Sequence, residues 1–319
     1  MGLPFLLSSK IFLYLVRNFY RKAPLVLMLE ITGRCNLSCK GCGRIRELSG
    51  MEMSLEECLS SIEECPAPVV AITGGEPLLH PKILELLGSI LGRRFVYLCT
   101  NGLLLKDFLP RMKPSPYLFL SIHMDGLEET HDTLCGRKGV FKEVISSIKE
   151  AKNRGFKVCI NTTVYKESDP EEVIGLLSLL RSLGVDGFLL SSPYPSTDED
   201  VFPSLKDIEE KFKEISGRLK GFNLFNTSLY LEFLKGEREL SCSPWGNPTR
   251  NPKGWKSPCY FIEDAYYGSF GELMEKTPWE KYGPGKDKRC SLCRTHYGFE
   301  PSAVKELMKP WEALRYLIK

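Results

Sequence analysis

Three observations predict an α/β chain built as a partial (β/α)6 TIM-type barrel, open on one side. Between Pro24 and Pro193, short apolar runs alternate with helical patterns, as parallel strands joined by crossover helices do. Six such units are visible, where a closed barrel needs eight and about 250 residues. The competing doubly wound sheet carries a Gly-rich phosphate turn after its first strand; here that turn holds cysteines.

The elements follow in chain order. Residues 1–23 carry Lys10, Arg17, Arg21 and Lys22 and no acid. A helical wheel puts Phe5, Phe12, Leu15, Val16 and Phe19 on one face, with Lys10, Arg17 and Arg21 opposite. Spanning a membrane takes about 20 mostly apolar residues, and only six separate Lys10 from Arg17. The pattern is an amphipathic helix that either lies in a membrane interface or packs its apolar face on the domain. The barrel occupies 24–220. Its strands fall at 25–31, 69–73, 95–100, 118–123, 158–164 and 188–191, all apolar and rich in β-branched or aromatic residues, as buried parallel strands are. Helical patterns lie between them at 55–65, 82–91, 104–112, 140–154 and 171–183, and Gly155 and Gly184 stand where C-terminal caps belong. A polar helix over about 205–219 follows. Residues 221–319, rich in Pro, Gly and aromatics, read as an irregular extension with a second cysteine group.

Composition narrows the class. With 43% hydrophobic and 26% charged residues the chain is globular. Lys+Arg 43 against Asp+Glu 40 leaves +3, too balanced for a dedicated nucleic-acid binder. Twelve cysteines in local groups, with no export signal, favour metal ligation in a reducing cytoplasm over disulfides.

The first strand runs directly into Cys35, Cys39 and Cys42, spaced C-x3-C-x2-C. Three thiolates leave a four-ligand structural zinc site incomplete unless a distant residue joins them. A cubane iron–sulfur cluster takes three and leaves one iron open. One β-α unit later, the second strand ends in Gly74-Gly75-Glu76-Pro77, where paired glycines permit close backbone approach and Glu76 offers a carboxylate to a cationic group.

This pairing of motifs resembles the radical S-adenosylmethionine (SAM) superfamily. The resemblance implies a [4Fe–4S] cluster on Cys35, Cys39 and Cys42, its open iron chelating the amino and carboxylate groups of SAM. Gly74, Gly75, Glu76 and Pro77 would hold the methionyl amino group, with Asn101, Asp125 and Asn161 as further cofactor contacts at later strand ends; Asp125 also reads as a cap or turn residue. A low-potential electron, from a flavodoxin or ferredoxin, would cleave SAM to a 5′-deoxyadenosyl radical, and the barrel would position it and exclude water.

Longer strings, 24–30, 95–101 and Cys242-Ser243-Pro244-Trp245-Gly246-Asn247-Pro248-Thr249-Arg250-Asn251, resemble one branch, the adenosylhopene transferases of hopanoid biosynthesis, from about residue 1 to 297. That family adds the adenosyl radical to the terminal alkene of diploptene, forms a carbon–carbon bond to give adenosylhopane, and quenches the resulting radical. A membrane-borne substrate would give the N-terminal helix a use, docking the barrel mouth to the inner face of the bilayer. At the end of strand three, Cys99 reads either as a hydrogen-atom donor for the quench or as buried apolar packing.

Cys242, Cys259, Cys290 and Cys293 form a second set, suited to a second Fe–S cluster or a four-thiolate zinc site. The related family more often has a cysteine at the position of Tyr297. The remaining cysteines, Cys58 and Cys65 on the first crossover helix, Cys135 in a loop and Cys159 in strand five, read as packing. His80 and His123 would flank the mouth, His131 would sit in a loop, and Trp245, Trp255, Tyr260 and Phe261 could line an apolar pocket. Two alternatives stand beside the leading one. Another lipid-modifying radical SAM enzyme would abstract hydrogen and release free 5′-deoxyadenosine; a zinc-binding, membrane-associated scaffold would be colourless and inert.

Overall fold

The structure, a computed structural model, describes residues 9–42, 48–194 and 201–309; Phe5 and the outer ends of both terminal segments lie outside them. Helix α1 (Ser9–Arg17) precedes six parallel strands: β1 (Val26–Thr32), β2 (Val69–Gly74), β3 (Phe95–Thr100), β4 (Leu118–His123), β5 (Lys157–Thr163) and β6 (Gly187–Ser191). The crossovers carry α2 (Leu55–Glu64), α3 (Ile83–Ile90), α4 (Leu105–Phe108), α5 (Glu128–Cys135), α6 (Val140–Asn153) and α7 (Pro170–Ser182). Local chemistry sets several boundaries. Ser54 and Glu57 form a reciprocal capping box at α2. Gly155, at φ 80°, follows α6 in the left-handed conformation that glycine tolerates. Helix α5 escapes a periodicity reading because its eight residues, EETHDTLC, carry only two apolar side chains.

Alternation along the strands builds two layers. Leu27, Leu29, Ile31, Val70, Ile72, Val96, Leu98, Leu120, Ile122 and Ile160 lie under the helices, buried in the main core. Such side chains each contribute about 1.5–3 kcal/mol. Met28, Ala71, Tyr97, Cys99, Phe119, Cys159 and Leu189 form the opposite, inner face.

The extension is the first correction. The described part of the extension, 221–309, is not irregular: β7 (Thr249–Asn251) pairs parallel to β1, and β8 (Gly254–Pro258) and β9 (Glu263–Tyr267) continue antiparallel. The sheet runs β6-β5-β4-β3-β2-β1-β7-β8-β9. Three polar residues make β7, and the free edge of β1 decides that they pair, Met28 against Thr249. Asn251 Nδ2 also donates to Glu30 Oε2, at 3.3 Å. Helices α8 (Leu205–Ser216), α9 (Ser228–Leu234), α10 (Phe270–Lys276) and α11 (His296–Leu307) complete the chain.

Helix α11 fills the space between the two sides of the sheet. Its Ser302 Oγ donates to Ser243 Oγ at 2.8 Å, ahead of β7, and Pro301 sits against Gly246. On the β6 side, Glu300 accepts from Asn226 Nδ2 and the Thr227 N–H, both at 3.0 Å. Burial pushes the Glu300 carboxyl up to about 7, against an ordinary 4.5. The native state therefore keeps a proton that the unfolded chain releases, so stability falls as pH rises from about 4.5 to about 7 and is level above. This difference is worth about 3 kcal/mol. Buried Glu76 shifts the same way, so Glu300→Gln is expected to remove about half the slope. Denaturant midpoints measured across that pH window check it.

The N-terminal helix is the second correction. Ile11 and Leu15 are its buried residues, whereas Phe12 and Val16, expected on the same face as Leu15, are 59% and 50% exposed. Ile11 and Leu15 pack with Val26, Val69, Phe95 and Phe119, at the N-terminal ends of the strands. Helix α1 thus lies at the end opposite the cysteine loop and does not border the mouth formed by the strands' C-terminal ends. A helical wheel gives a face but not the partner that covers it.

Candidate active site

The cysteine loop leaves β1 through Gly33, where a Cβ would stand 1.8 Å from the Leu48 carbonyl oxygen. The Lys40 N–H donates to Leu134 O at 2.8 Å, fastening the loop to α5, and the Cys42 N–H closes a turn on Cys39 O at 3.3 Å. Asn101, just past β3, donates from Nδ2 to Asn36 Oδ1 at 2.7 Å, with Cys35 Sγ 3.9 Å from the same nitrogen. Cys35 and Cys39 rest half-buried on the core. Burial pushes the Cys35 thiol up to about 11; a hydrogen bond with Cys135, then burial, push Cys39 higher still. Thiolates in such a place need a bound cation to hold their charge.

The glycine strip serves the loop. A Cβ on Gly74 (φ 138°) would lie 2.3 Å from Thr32 O, and one on Gly75 2.1 Å from Arg34 O and 3.1 Å from Cys35 Cβ. The Gly75 and Glu76 N–H groups donate to Thr32 O and Arg34 O, each at 2.7 Å. The close approach that these glycines allow is therefore to the cysteine loop's own backbone. Glu76 is fully buried, accepting from the Leu78 N–H, the Thr100 hydroxyl and the Asn101 N–H at 3.0, 2.9 and 2.8 Å. Its carboxylate ties β2 to β3, and Pro77 opens a short 3-10 turn behind it. Gly75→Ala is expected to cost about 1–3 kcal/mol by overpacking and to lower iron uptake, read by chemical denaturation and iron assay of one preparation.

Two further predicted contacts divide. Asp125 is 3% exposed, with Oδ1 accepting from the Thr163 N–H at 2.7 Å and Oδ2 2.5 Å from His123 Nε2. It locks β4 to β5, and with its neighbourhood pushes His123 up to about 9. Asn161 Oδ1 is buried without a hydrogen-bond partner and lines a cavity of about 150 Å³ on the inner face. Asn247 Oδ1 and His296 Nδ1 are orphaned on the same wall.

Cys99 lines this cavity in register with Ser121, which is in register with Cys159, so the three form one row across β3, β4 and β5. Burial pushes the Cys99 thiol up to about 12, against a hydrogen bond with Ser121. Cys159 is buried packing, as its sequence context suggests, and it also lines the cavity; counting alternate residues along paired strands puts it in the same row as Cys99. Cys135, expected in a loop, ends α5 with Sγ 3.6 Å from His131 Nε2 and against Cys39. His131 likewise belongs to α5. His80 is structural, its Nε2 2.8 Å from Met53 O. Trp255 faces the helices, donating from Nε1 to Glu64 Oε2 at 3.2 Å, and does not line the cavity.

The structure brings Cys242, Cys259, Cys290 and Cys293 around one small cavity of about 30 Å³, with Tyr260, Phe261 and Tyr297 between it and the inner cavity. No disulfide joins any of the twelve cysteines. Among the described residues, no three His, Cys, Asp or Glu side chains converge to hold a single metal ion.

Fold and motifs together define the class: residues 29–180 match the radical SAM superfamily and form a radical SAM domain. The rest, 192–316, matches a domain of unknown function, DUF3463. Among proteins of known activity, the chain is 32% identical over 195 residues to the AdoMet-dependent heme synthase of Methanosarcina barkeri, covering 57% of this chain and 55% of that one. It is 31% identical over 173 residues to the GTP 3′,8-cyclase of Aquifex aeolicus, covering 50% and 54%. The chain thus spans about half the length of these curated relatives. In fold it resembles Streptococcus suis SuiB bound to the precursor peptide SuiA, with TM-score 0.68, 18% identity and coverage of 94% and 76%. It also resembles anSMEcpe with bound AdoMet, with TM-score 0.62, 18% identity and coverage of 92% and 98%.

Membership implies a [4Fe–4S] cluster and SAM, and the residues fit both. Three loop thiols are anchored by α5 and Asn101, and orphaned polar atoms, Asn161 Oδ1 first, await a partner in the cavity. No helix among the described residues is long and apolar enough to cross a membrane.

Proposed function

We propose that the protein is a radical SAM transferase that adds an adenosyl group to the alkene of a hopanoid, diploptene, to give adenosylhopane. The observation that carries this reading is the inner cavity, whose wall is mostly apolar. Leu25, Val26, Met28, Val69 and Leu189 supply apolar surface; burial holds His296 neutral, its pKa pushed down to about 4, and Glu300 shares the wall with its carboxyl raised to about 7. Such a wall suits a hydrocarbon better than a nucleotide or a charged peptide. Cys99 stands on it two residues from Asn101, which touches the cysteine loop.

When bound, the cluster and SAM supply a 5′-deoxyadenosyl radical. Cys35, Cys39 and Cys42 would hold the cluster, and Asn161 would orient SAM by its free Oδ1. Cys99, kept protonated by burial, has an S–H bond to give. It transfers the hydrogen atom to the adduct's carbon radical, forming C–H and leaving a thiyl radical. One electron from a low-potential donor of the flavodoxin or ferredoxin type and one proton restore the thiol. The C-terminal cysteines would hold a second Fe–S cluster, separated from the cavity by Tyr260 and Tyr297. Peripheral attachment to the inner face of a membrane would bring the substrate within reach.

Anaerobic reconstitution, then reaction with SAM, dithionite and diploptene read by mass spectrometry, tests the reading. Adenosyl-lipid adduct is expected. Free 5′-deoxyadenosine without adduct would replace the hopanoid reading with hydrogen abstraction, and a colourless, inert protein would leave only the scaffold.

A further inference from the structure

We propose that the inner cavity is a hydrocarbon chamber loaded from its α1 end, with α1 as the gate between an anionic bilayer and the chamber; this rests on the lipid-substrate reading above. The cavity has two ends. One holds Cys99, Ser121 and Asn161, toward the cysteine loop; the other is walled by Ile11, Leu15, Val69 and Phe225. Beside the first end, Tyr260 and Tyr297 stack 4.6 Å apart at 8°, and His296 stacks on Tyr297 at 4.3 Å. At the α1 end the cover is instead two side chains of one short helix, Ile11 and Leu15.

Helix α1 suits a movable cover. Ile11 and Leu15 are its buried apolar side chains, and the Tyr14 hydroxyl donates to Pro24 O at 2.7 Å. Phe12, Leu13 and Val16, with Tyr20 just beyond, are 59%, 47%, 50% and 96% exposed. Lys10, Arg17, Arg21 and Lys22 accompany them, and no acid occurs in this segment. Lys305 of α11 donates to Arg21 O at 2.8 Å, adding a cation at the same end. An exposed apolar helix face set among cations is complementary to anionic lipid headgroups. Volume supports movement: an apolar cavity of about 150 Å³ accommodates a group about the size of benzene. A fused polycycle is larger. Because Ile11 and Leu15 are part of the wall, displacing α1 opens the chamber and enlarges it in one motion.

The test follows pyrene leaving phosphatidylcholine–phosphatidylglycerol vesicles for the reconstituted full chain, read by the fall in excimer emission. The double variant Phe12→Glu/Val16→Glu changes only exposed positions and is expected to slow transfer at least about tenfold. Val69→Phe, at the α1 end, is expected to lower the amount bound, and circular dichroism of each variant shows that it folds. Unchanged transfer in the double variant, or full binding by Val69→Phe, would overturn the proposal. If the wild type takes up pyrene through α1 yet forms no adduct with any polycyclic alkene, the gate stands and the transferase reading falls.

Discussion

Alanine at Cys35, Cys39 or Cys42 is expected to abolish reductive SAM cleavage and to remove the loop's share of bound iron. Loss of an outer-shell partner of a metal ligand already costs about 10–100-fold, and these substitutions remove ligands themselves, so the loss should exceed about 100-fold. Two controls give the experiment its resolution. Cys135→Ser alters a neighbour of Cys39 and should produce only the smaller, outer-shell effect. Cys290→Ala removes a member of the C-terminal set and should lower iron content while the loop's charge-transfer absorption and SAM cleavage persist. Iron assay, visible absorption and 5′-deoxyadenosine release on the same samples separate the cases. A Cys39→Ala chain that keeps full iron and cleaves SAM normally would refute the assignment of the loop.

The second large effect lies at Cys99. Cys99→Ala should still cleave SAM within a few-fold of the wild-type rate but yield saturated adduct at least about 100-fold more slowly, the general size of losing a positioned proton- or hydrogen-transfer group. The thiol hydrogen exchanges with solvent, so reaction in D2O should place deuterium at the quenched carbon in the wild type. Deuterium there shows that the quenching hydrogen is solvent-exchangeable, and the slowed formation of labelled adduct in Cys99→Ala is what assigns it to the thiol. Cys159→Ala is the informative companion, since Cys159 faces the same cavity two strands away; it should leave both rate and label unchanged. Saturated, deuterated adduct at an undiminished rate from Cys99→Ala would remove Cys99 from the reaction.

Much of this was legible in the sequence because it is local. The six parallel strands begin and end within a residue or two of the apolar runs, since a buried strand must be apolar and its flanking helices amphipathic. The C-x3-C-x2-C loop and the Gly74-Gly75-Glu76 strip were likewise readable, each being a short string directly after a strand. The roles within the strip were not. Only the folded backbone shows that Gly75 makes room for Arg34 and Cys35, and that Glu76 is consumed by Leu78, Thr100 and Asn101.

What the sequence by itself determined is the order and type of the parallel strands and most of their crossover helices, and the three thiols after β1, because periodicity and spacing act over a few residues. Tertiary structure alone decided the partners. It set β7 against β1 across some 220 residues of chain, with Asn251 reaching Glu30, and ran α11 between the two sides of the sheet. It turned Cys99 and Cys159 into one cavity, put Cys135 against Cys39, gathered four distant cysteines, and placed α1 at the end away from the cysteine loop. A pattern of apolar residues specifies that a face must be covered; which surface covers it depends on contacts between segments far apart in the chain, and those no local pattern encodes.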